Sequence, residues 1–257
     1  MELVLENVTT LYGTTVAVED VTFTVSPGQV VALIGPNGSG KSTLIKTIAT
    51  ILKARNGRIT MDGADISQMD PIDLASRIGY VPQQYTYTLY STVFETVLLG
   101  RRPYIKWVVS DEELSRVQAA LETVGMAGSA GRFMDQLSGG ERQKVFIARA
   151  LAQDPALYLF DEPTSALDIR HQLGVMETLR ELGIMRKAAV IIAVHDLNLA
   201  YRYADRVVVM DKGKLVAYGC PQDVLTLDCI RSVYGVEALL VRNEYGDFIL
   251  PVYGLSS

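Results

Sequence analysis

Residues 30–43 read Val30-Val31-Ala32-Leu33-Ile34-Gly35-Pro36-Asn37-Gly38-Ser39-Gly40-Lys41-Ser42-Thr43. The first five residues are apolar and mostly β-branched, which favours a buried strand. The pattern Gly35-x-x-x-x-Gly40-Lys41-Ser42 matches the phosphate-loop motif at every required position. From Lys41 to about Ala49 the apolar residues recur at helical spacing. A strand, a glycine loop and a helix in this order predict a nucleotide-binding α/β fold.

The residue types of this loop suit the binding of a triphosphate. Glycines allow successive backbone N–H groups to turn inward and form an anion-binding nest at a helix N-terminus. We expect Lys41 to neutralise the β and γ phosphates and the Ser42 hydroxyl to take one Mg²⁺ coordination position. An accidental glycine-rich turn is the alternative, and the flanking strand and helix make it the weaker one.

A second apolar strand, Leu157–Phe160, ends in two carboxylates, Asp161 and Glu162. Mg²⁺ is held in proteins by few carboxylates and keeps several waters, so we expect Asp161 to bind it directly or through water. Glu162 is expected to orient or deprotonate the attacking water. Alone, such a pair is usually a solvated strand end; beside a phosphate loop the functional interpretation is favoured.

Two further polar residues follow strands. His195 comes directly after the run 188–194 and is expected to reach the γ-phosphate, because ligands bind at the carboxyl ends of parallel strands. Gln83 follows the predicted strand 78–81, and a glutamine there could contact Mg²⁺ or the attacking water. With only two histidines in the chain, a histidine metal cluster is excluded, and His171 is interpreted as an ordinary surface residue.

A second anion site is predicted at Leu137-Ser138-Gly139-Gly140-Glu141-Arg142-Gln143. Ser138 is a natural N-cap, and the two glycines leave the amides of the helix N-terminus open. A plainly capped helix is the alternative. Since the first loop already binds one nucleotide, the second site requires a phosphate from elsewhere, and a second molecule is the simplest source.

The remaining pattern predicts a largely parallel sheet with helices on its faces. The expected strands are 2–8, 21–25, 30–34, 58–61, 78–81, 157–160, 190–194 and 207–210, and the expected helices are 92–100, 111–124 and 140–152. After Pro221 we expect two short helices and a hairpin of strands 238–242 and 248–253.

Composition narrows the class of protein. The 257 residues are 49% apolar and 21% charged, with a net charge of −5 and no basic cluster, so nucleic-acid binding has no support. The two cysteines are too few for a disulfide framework or a zinc site. The apolar runs are far shorter than a membrane span, and the first residues lack a signal-peptide pattern. A cytoplasmic chain is expected.

These segments, in this order, resemble the ATP-binding subunits of ABC transporters over about residues 2–225. The resemblance implies a P-loop NTPase core with a mainly parallel sheet, an N-terminal antiparallel β layer and a helical subdomain. It also implies that Glu162, His195 and Gln83 are catalytic and that Ser42, Gln83 and Asp161 hold Mg²⁺. The ATP-binding set that it implies comprises Tyr12, Gly35, Pro36, Asn37, Gly38, Ser39, Gly40, Lys41, Ser42, Thr43, Asp161, Ser138, Gly139 and Gly140.

The same resemblance implies one ABC ATPase domain with three parts. Residues 1–83 and 156–220 form the nucleotide-binding core with its β layer, 84–155 the helical subdomain, and 221–257 the terminal helices and hairpin. Two copies are expected to pack head to tail, so that each ATP lies between one copy's loop and the other copy's Ser138–Gly140. Transmembrane permease subunits and, indirectly, an extracellular substrate-binding protein are the further expected partners, at the cytoplasmic face of the membrane.

Softer similarities, at 73–83, 97–104 and 233–236, point to the branch that imports iron-siderophore, haem and cobalamin; molybdate, zinc or manganese importers stay open. A soluble ABC ATPase and a simple P-loop kinase are the competing classes. The first usually shows zinc cysteines, a long coiled-coil insertion or two cassettes, and the second leaves 137–143 and His195 unexplained. Six aromatics are expected to form, in part, a groove for a permease helix: Tyr85, Tyr87, Tyr90, Phe94, Tyr104 and Trp107.

Overall fold

Two β-sheets organise the protein in a computed structural model that describes residues 1–84, 90–165, 167–244 and 246–254. The strands are β1 Leu3–Tyr12, β2 Thr15–Val25, β3 Val30–Ile34, β4 Asn56–Met61, β5 Ala64–Asp65, β6 Ile78–Val81, β7 Leu157–Asp161, β8 Ala189–Ala193, β9 Arg206–Asp211, β10 Lys214–Gly219, β11 Val236–Asn243 and β12 Gly246–Gly254. The helices are α1 Lys41–Ile48, α2 Pro71–Arg77, α3 Val93–Leu98, α4 Asp111–Thr123, α5 Gly139–Gln153, α6 Ile169–Arg186, α7 Leu197–Tyr203, α8 Pro221–Val224 and α9 Leu227–Tyr234.

The main sheet has the strand order β10-β9-β3-β8-β7-β6. Five of its strands are parallel, and only β10 runs antiparallel to its neighbour β9. Strands β3, β7 and β8 are buried along their whole length, as expected for a parallel sheet covered on both faces. The predicted α/β fold with a mainly parallel sheet is confirmed.

The second sheet is the predicted N-terminal antiparallel layer, with the order β2-β1-β4-β5. Its first two strands are longer than predicted, because the pairing continues to Tyr12↔Thr15 through three register irregularities. The predicted start of β2 at Val21 was therefore wrong. Helix α1 lies between the two sheets and buries the predicted stripe of Leu44, Ile45 and Ile48 completely.

Helices α3, α4 and α5 pack on one another and bury Val97, Leu121 and Val145 among their apolar faces. The predicted helix 92–100 is shorter, because α3 ends at Leu98 and a 3₁₀ turn follows over Leu99–Arg101. In that turn a Cβ on Gly100 would lie 2.2 Å from the carbonyl oxygen of Arg149, so the close approach to α5 requires glycine. The division of the chain into three parts stays a prediction.

The C-terminal segment forms the two predicted short helices and the predicted hairpin. Strands β11 and β12 pair antiparallel, with Leu239 opposite Leu250. Helix α7 holds this hairpin, because the side-chain amide of Asn198 donates to the Ile249 carbonyl at 3.1 Å and accepts from the Ile249 N–H at 2.8 Å. Among the described residues, no helix is both long and apolar enough to cross a membrane.

Candidate nucleotide and catalytic site

In the loop between β3 and α1, the backbone at Gly40 has a conformation that only glycine adopts without strain. Its φ is +102°, and a Cβ there would lie 2.5 Å from the carbonyl oxygen of Ala17 on β2. The loop therefore rests directly against the first sheet. Because Gly40 immediately precedes Lys41, the first residue of α1, the loop presents its amides at the N-terminus of that helix.

Lys41 supplies a buried cation inside this loop. The residue is only 5% exposed, and its Nζ donates to the carbonyls of Gly35 at 2.8 Å and Pro36 at 3.0 Å. Burial lowers the pKa of the ammonium, while the nearby carboxylates of Glu162 and Asp161 oppose this shift. The Ser39 hydroxyl is also buried and finds no hydrogen-bond partner in the described protein. An anion bound in the loop would meet both groups.

Ser42 and Asp161 meet beside the loop. The Ser42 hydroxyl donates to Oδ1 of Asp161 at 2.7 Å, although the two residues are 119 positions apart in the chain. Burial raises the pKa of Asp161, and the neighbouring Glu162 adds to the rise, while the Ser42 hydrogen bond and the lysines oppose it. A hydroxyl and a carboxylate, both oxygen ligands, fit the coordination chemistry of Mg²⁺. These two residues could hold that ion.

Glu162 lies at the end of β7 between two polar side chains. Its carboxylate accepts a hydrogen bond from Nε2 of Gln83 at 2.5 Å, and its other oxygen lies 2.5 Å from Nε2 of His195. The backbone of Glu162 has a φ of +54°, and its N–H donates to the carbonyl of Ala193 at 3.2 Å. The residue is 8% exposed, so its carboxylate is held in place and mostly shielded from solvent.

The order of the strands brings these three residues together. Strands β6, β7 and β8 are neighbours in the sheet and run parallel, so their carboxyl ends lie at one edge. Gln83, Glu162 and His195 each follow one of these ends within two residues. Gln83, and not Gln84, makes the described contact with Glu162, which favours the assignment made from the sequence.

A cavity of about 170 Å³ joins the loop and the carboxylate. It is lined by residues 37–43, by Ala17 and by Glu162. Ala17 was not among the predicted site residues, because its small apolar side chain carries no chemistry that a motif could mark. The cavity therefore brings the residues of the loop, including the Ser42 hydroxyl, together with the Glu162 carboxylate in one space.

Comparison with known proteins identifies the family. The family model described as "ABC transporter" matches residues 18–165, which is more than half of the chain. The chain belongs to the ABC transporter ATP-binding family. It is thus an ABC ATPase, and the predicted family and enzymatic class are confirmed.

Several relatives of this ABC ATPase match along nearly their whole length. An uncharacterised ABC transporter ATP-binding protein of Methanocaldococcus jannaschii is 42% identical, with 98% of each chain covered. The ferric enterobactin transport ATP-binding protein of Escherichia coli is 37% identical, covering 93% of this chain and 89% of the relative. The hemin import ATP-binding protein of Nocardia farcinica is 40% identical, covering 91% and 82%.

Solved structures of cassettes show the same fold. A structure described as a "metal-chelate type ABC transporter" in an inward-facing conformation aligns with a TM-score of 0.85 at 27% identity, covering 98% of this chain and 97% of that one. A dimeric bacterial ABC transporter cassette aligns with a TM-score of 0.78 at 31% identity, covering 85% and 98%. Cassettes of this family bind adenine nucleotides, dimerise and serve membrane transporters.

Tyr12 lies at the tip of the hairpin formed by β1 and β2 in this ABC ATPase. It pairs with Thr15 and is 65% exposed. Two residues of extended strand, about 7 Å, separate Thr15 from Ala17 of the cavity wall. The described contacts join no part of Tyr12 to the loop, so its predicted stacking on adenine stays a prediction.

The second predicted anion site lies at the N-terminus of α5. Ser138 is the N-cap: its hydroxyl accepts from the Glu141 N–H at 3.3 Å, and Glu141 accepts from the Ser138 N–H at 2.8 Å. Ser138 and Gly139 are exposed, and the described lining of the cavity contains neither them nor Gly140. One chain therefore leaves this helix end open to a partner.

Proposed function

We propose that this ABC ATPase is the ATP-hydrolysing subunit of an importer for a metal chelate: an iron-siderophore, haem or cobalamin. Relatives named for ferric enterobactin transport and hemin import support the substrate class, as does the structural similarity to a transporter of metal-chelate type. The proposed assembly also contains a separate transmembrane permease and an extracellular binding protein. The subunit binds the permease at the cytoplasmic face of the membrane.

The contact of Glu162 with both Gln83 and His195, beside a cavity that Glu162 and Lys41 both line, carries the proposed ATP hydrolysis. In the proposed roles, the loop amides and Lys41 bind the β and γ phosphates, and Glu162 takes the proton of the attacking water. His195 donates to the γ-phosphate. Ser42, Asp161 and Gln83 would hold Mg²⁺, which, when bound, neutralises charge on the phosphates.

The open helix end at Ser138 supports a site made by two copies. Backbone amides at an exposed helix N-terminus attract phosphate. In a head-to-tail dimer with twofold symmetry, each ATP would contact the loop of one copy and Ser138–Gly140 of the other, and both contacts occur twice. ATP then favours the closed dimer, because only that state uses both surfaces.

The Glu162→Gln variant tests this mechanism. An amide cannot accept the proton of the attacking water, so we expect hydrolysis to fall by about 10²–10⁴-fold while ATP binding persists. The variant should then accumulate as an ATP-bound dimer, seen as a shift to larger size in gel filtration with Mg-ATP. Glu181→Gln, at an exposed position of α6, is the matched control and should hydrolyse ATP at the normal rate.

A Glu162→Gln variant that stays monomeric with Mg-ATP would contradict the two-copy site. The cargo needs a separate experiment with the chain reconstituted with its permease and binding protein. Metal chelates should stimulate ATP hydrolysis, whereas molybdate, zinc or manganese ions should not. Stimulation by the ions alone would replace the proposed cargo.

A groove on the helical region supports the proposed docking of a permease helix. The groove has a volume of about 510 Å³ and lies between Tyr90, Leu98, Leu99 and Ile105. Among the four described aromatics, Tyr90 and Trp107 are the most exposed, at 82% and 95%, so both rings face solvent. Phe94 instead packs against the core, and Tyr104 stacks under Arg101 with its ring centre 4.0 Å from the guanidinium carbon. Tyr85 and Tyr87 lie outside the described residues.

Cross-linking checks the position of the permease. A photoreactive residue at position 90 should link to a cytoplasmic loop of the permease in the assembled transporter. The same residue at position 72, where Ile72 is also exposed but lies on α2, serves as the control. If position 90 gives no link to the permease, the groove is not its docking site.

A further inference from the structure

The C-terminal hairpin carries an apolar face that nothing in the described chain covers. Alternation along β11 and β12 places Ala238 and Ile249 toward the core, where both are buried. The opposite side we call the hairpin face, and it is formed by Leu239, Val241, Leu250 and Val252, which are 54%, 38%, 52% and 51% exposed. Leu239 and Leu250 are direct cross-strand partners, so the exposed side chains are contiguous.

An apolar outer face is unusual for a two-stranded hairpin. Such a hairpin is marginal by itself, and a strand with one solvated face normally alternates apolar and polar residues. Two ion pairs lie at the hairpin's ends: Arg242 with Asp247 at 3.4 Å, and Arg231 with Glu237 at 2.9 Å. The hairpin face itself is therefore suited to an apolar surface.

The hairpin is joined to the helix that follows His195. Helix α7 begins at Leu197, two residues after His195, and Asn198 makes the paired hydrogen bonds to Ile249 of β12. The Tyr201 hydroxyl adds a bond to Asp247 at 3.2 Å. His195 contacts Glu162 of the nucleotide site, and Asn198 follows it by only three residues. The hairpin is therefore attached close to the side of the protein on which a second copy is expected.

Other occupants fit the position and chemistry less well. Helix α7 packs beside β3, whereas the helical region with the groove at Tyr90 packs beside β6 at the far edge of the sheet. A permease helix bound in that groove would be remote from the hairpin. An anionic membrane surface attracts basic residues, whereas Arg242, the basic residue of these two strands, is already paired with Asp247.

We infer that the hairpin face binds the hairpin face of a second copy of this chain and forms a contact that does not require nucleotide. An uncharged apolar surface is complementary to itself under a twofold rotation, which is the symmetry of the proposed ATP-bound dimer. The twofold symmetry is taken from the proposed function, and the inference rests on that proposal to this extent. It adds a permanent contact, which would keep two copies together while their nucleotide sites open.

The experiment measures self-association of the whole chain without nucleotide by sedimentation equilibrium. The wild-type chain should dimerise within concentrations up to about 100 µM, a range open to small interfaces. The double variant Leu239→Thr/Leu250→Thr keeps a favourable cross-strand pair but removes the apolar surface. Its association constant should fall by at least about tenfold.

Matched controls separate this contact from other effects. Ile184→Thr/Met185→Thr removes two apolar side chains of α6 that are even more exposed, at 69% and 79%, and should leave association unchanged. Thermal unfolding confirms that both double variants are folded. A wild-type chain that stays monomeric, or a hairpin variant that associates as strongly as the wild type, overturns the inference.

The Glu162→Gln substitution distinguishes the two hypotheses. In that background with Mg-ATP, the hairpin variant should still dimerise, because the nucleotide contacts remain. If ATP fails to drive dimerisation while the nucleotide-free association still depends on the hairpin, the two-copy ATP site is wrong and the hairpin contact stands.

Discussion

Two glycines of the phosphate loop should respond very differently to the same added methyl group. Gly38 has a φ of +78°, and a Cβ there would meet nothing within 4 Å. Gly40 has a φ of +102°, and its Cβ would lie 2.5 Å from the Ala17 carbonyl oxygen, closer than side chains tolerate. Gly38→Ala therefore adds backbone strain alone, whereas Gly40→Ala adds strain and an overlap with β2.

The expected sizes follow from these two terms. A left-handed backbone costs a non-glycine residue about 1 kcal/mol, so Gly38→Ala should lower the free energy of unfolding by that amount. Overpacking against rigid backbone adds about 2 kcal/mol, which brings Gly40→Ala to about 3 kcal/mol. In a chain of this size, each kcal/mol lowers the melting temperature by about 2–4 °C.

Thermal and urea unfolding without nucleotide measure the difference, with Gly38→Ala as the internal control for backbone strain. Both variants should keep the cooperative transition of the parent chain. Equal losses at the two positions would refute the reasoning, because they would show that the contact between the loop and β2 does not constrain Gly40. A larger loss at Gly38 would refute it as well.

Substitutions at two further positions, Asn198 and Asp161, test the attachment of the hairpin and the cost of burying a carboxylate at the site. Asn198→Ala should lower the free energy of unfolding by about 1–3 kcal/mol, since each of its two bonds to Ile249 contributes about 0.5–1.5 kcal/mol. Asn198→Asp keeps the acceptor, so its loss of stability should lie between those of the parent chain and Asn198→Ala. Urea unfolding measures both losses. Asp161→Asn removes a buried charge but keeps an oxygen that accepts from Ser42, so the melting temperature without nucleotide should rise. The same variant should lose the extra stabilisation that Mg-ATP gives the parent chain, and a lower melting temperature without ligand would contradict the assigned cost of burial.

The parts of the site that depend on local sequence were predictable. The loop of residues 35–43 is defined by backbone geometry, which glycine, lysine and serine at fixed spacing specify without help from distant residues. Asp161 and Glu162 could be proposed because they end a run of buried strand residues. The sheet was predictable for the same reason, since β3, β7 and β8 are continuous apolar runs.

The parts that depend on distant partners were not predictable from the residues alone. Gln83 and Gln84 are equivalent in sequence, and only the position of Glu162, 79 residues away, distinguishes them. The first half of β2 is separated from Val21 by the charged residues Glu19 and Asp20, the second of which has a φ of +53°, and only its pairing with β1 joins it to the same strand. Helix α2 was missed although Asp70 caps it and Pro71 occupies its first turn, a start signal that the sequence does display.

The three residues proposed to be catalytic, Gln83, Glu162 and His195, are positioned by strands of the main sheet and not by the segments that connect those strands. Gln83 and Glu162 follow the ends of neighbouring strands, yet the whole helical region with its exposed groove separates them along the chain. If the permease docks in that groove as proposed, exchanging the region would change the membrane partner while the spacing of Gln83, Glu162 and His195 stayed fixed. The fold would thus allow the subunit to serve a different transporter through changes in one continuous segment, while the arrangement of the residues proposed for hydrolysis is kept.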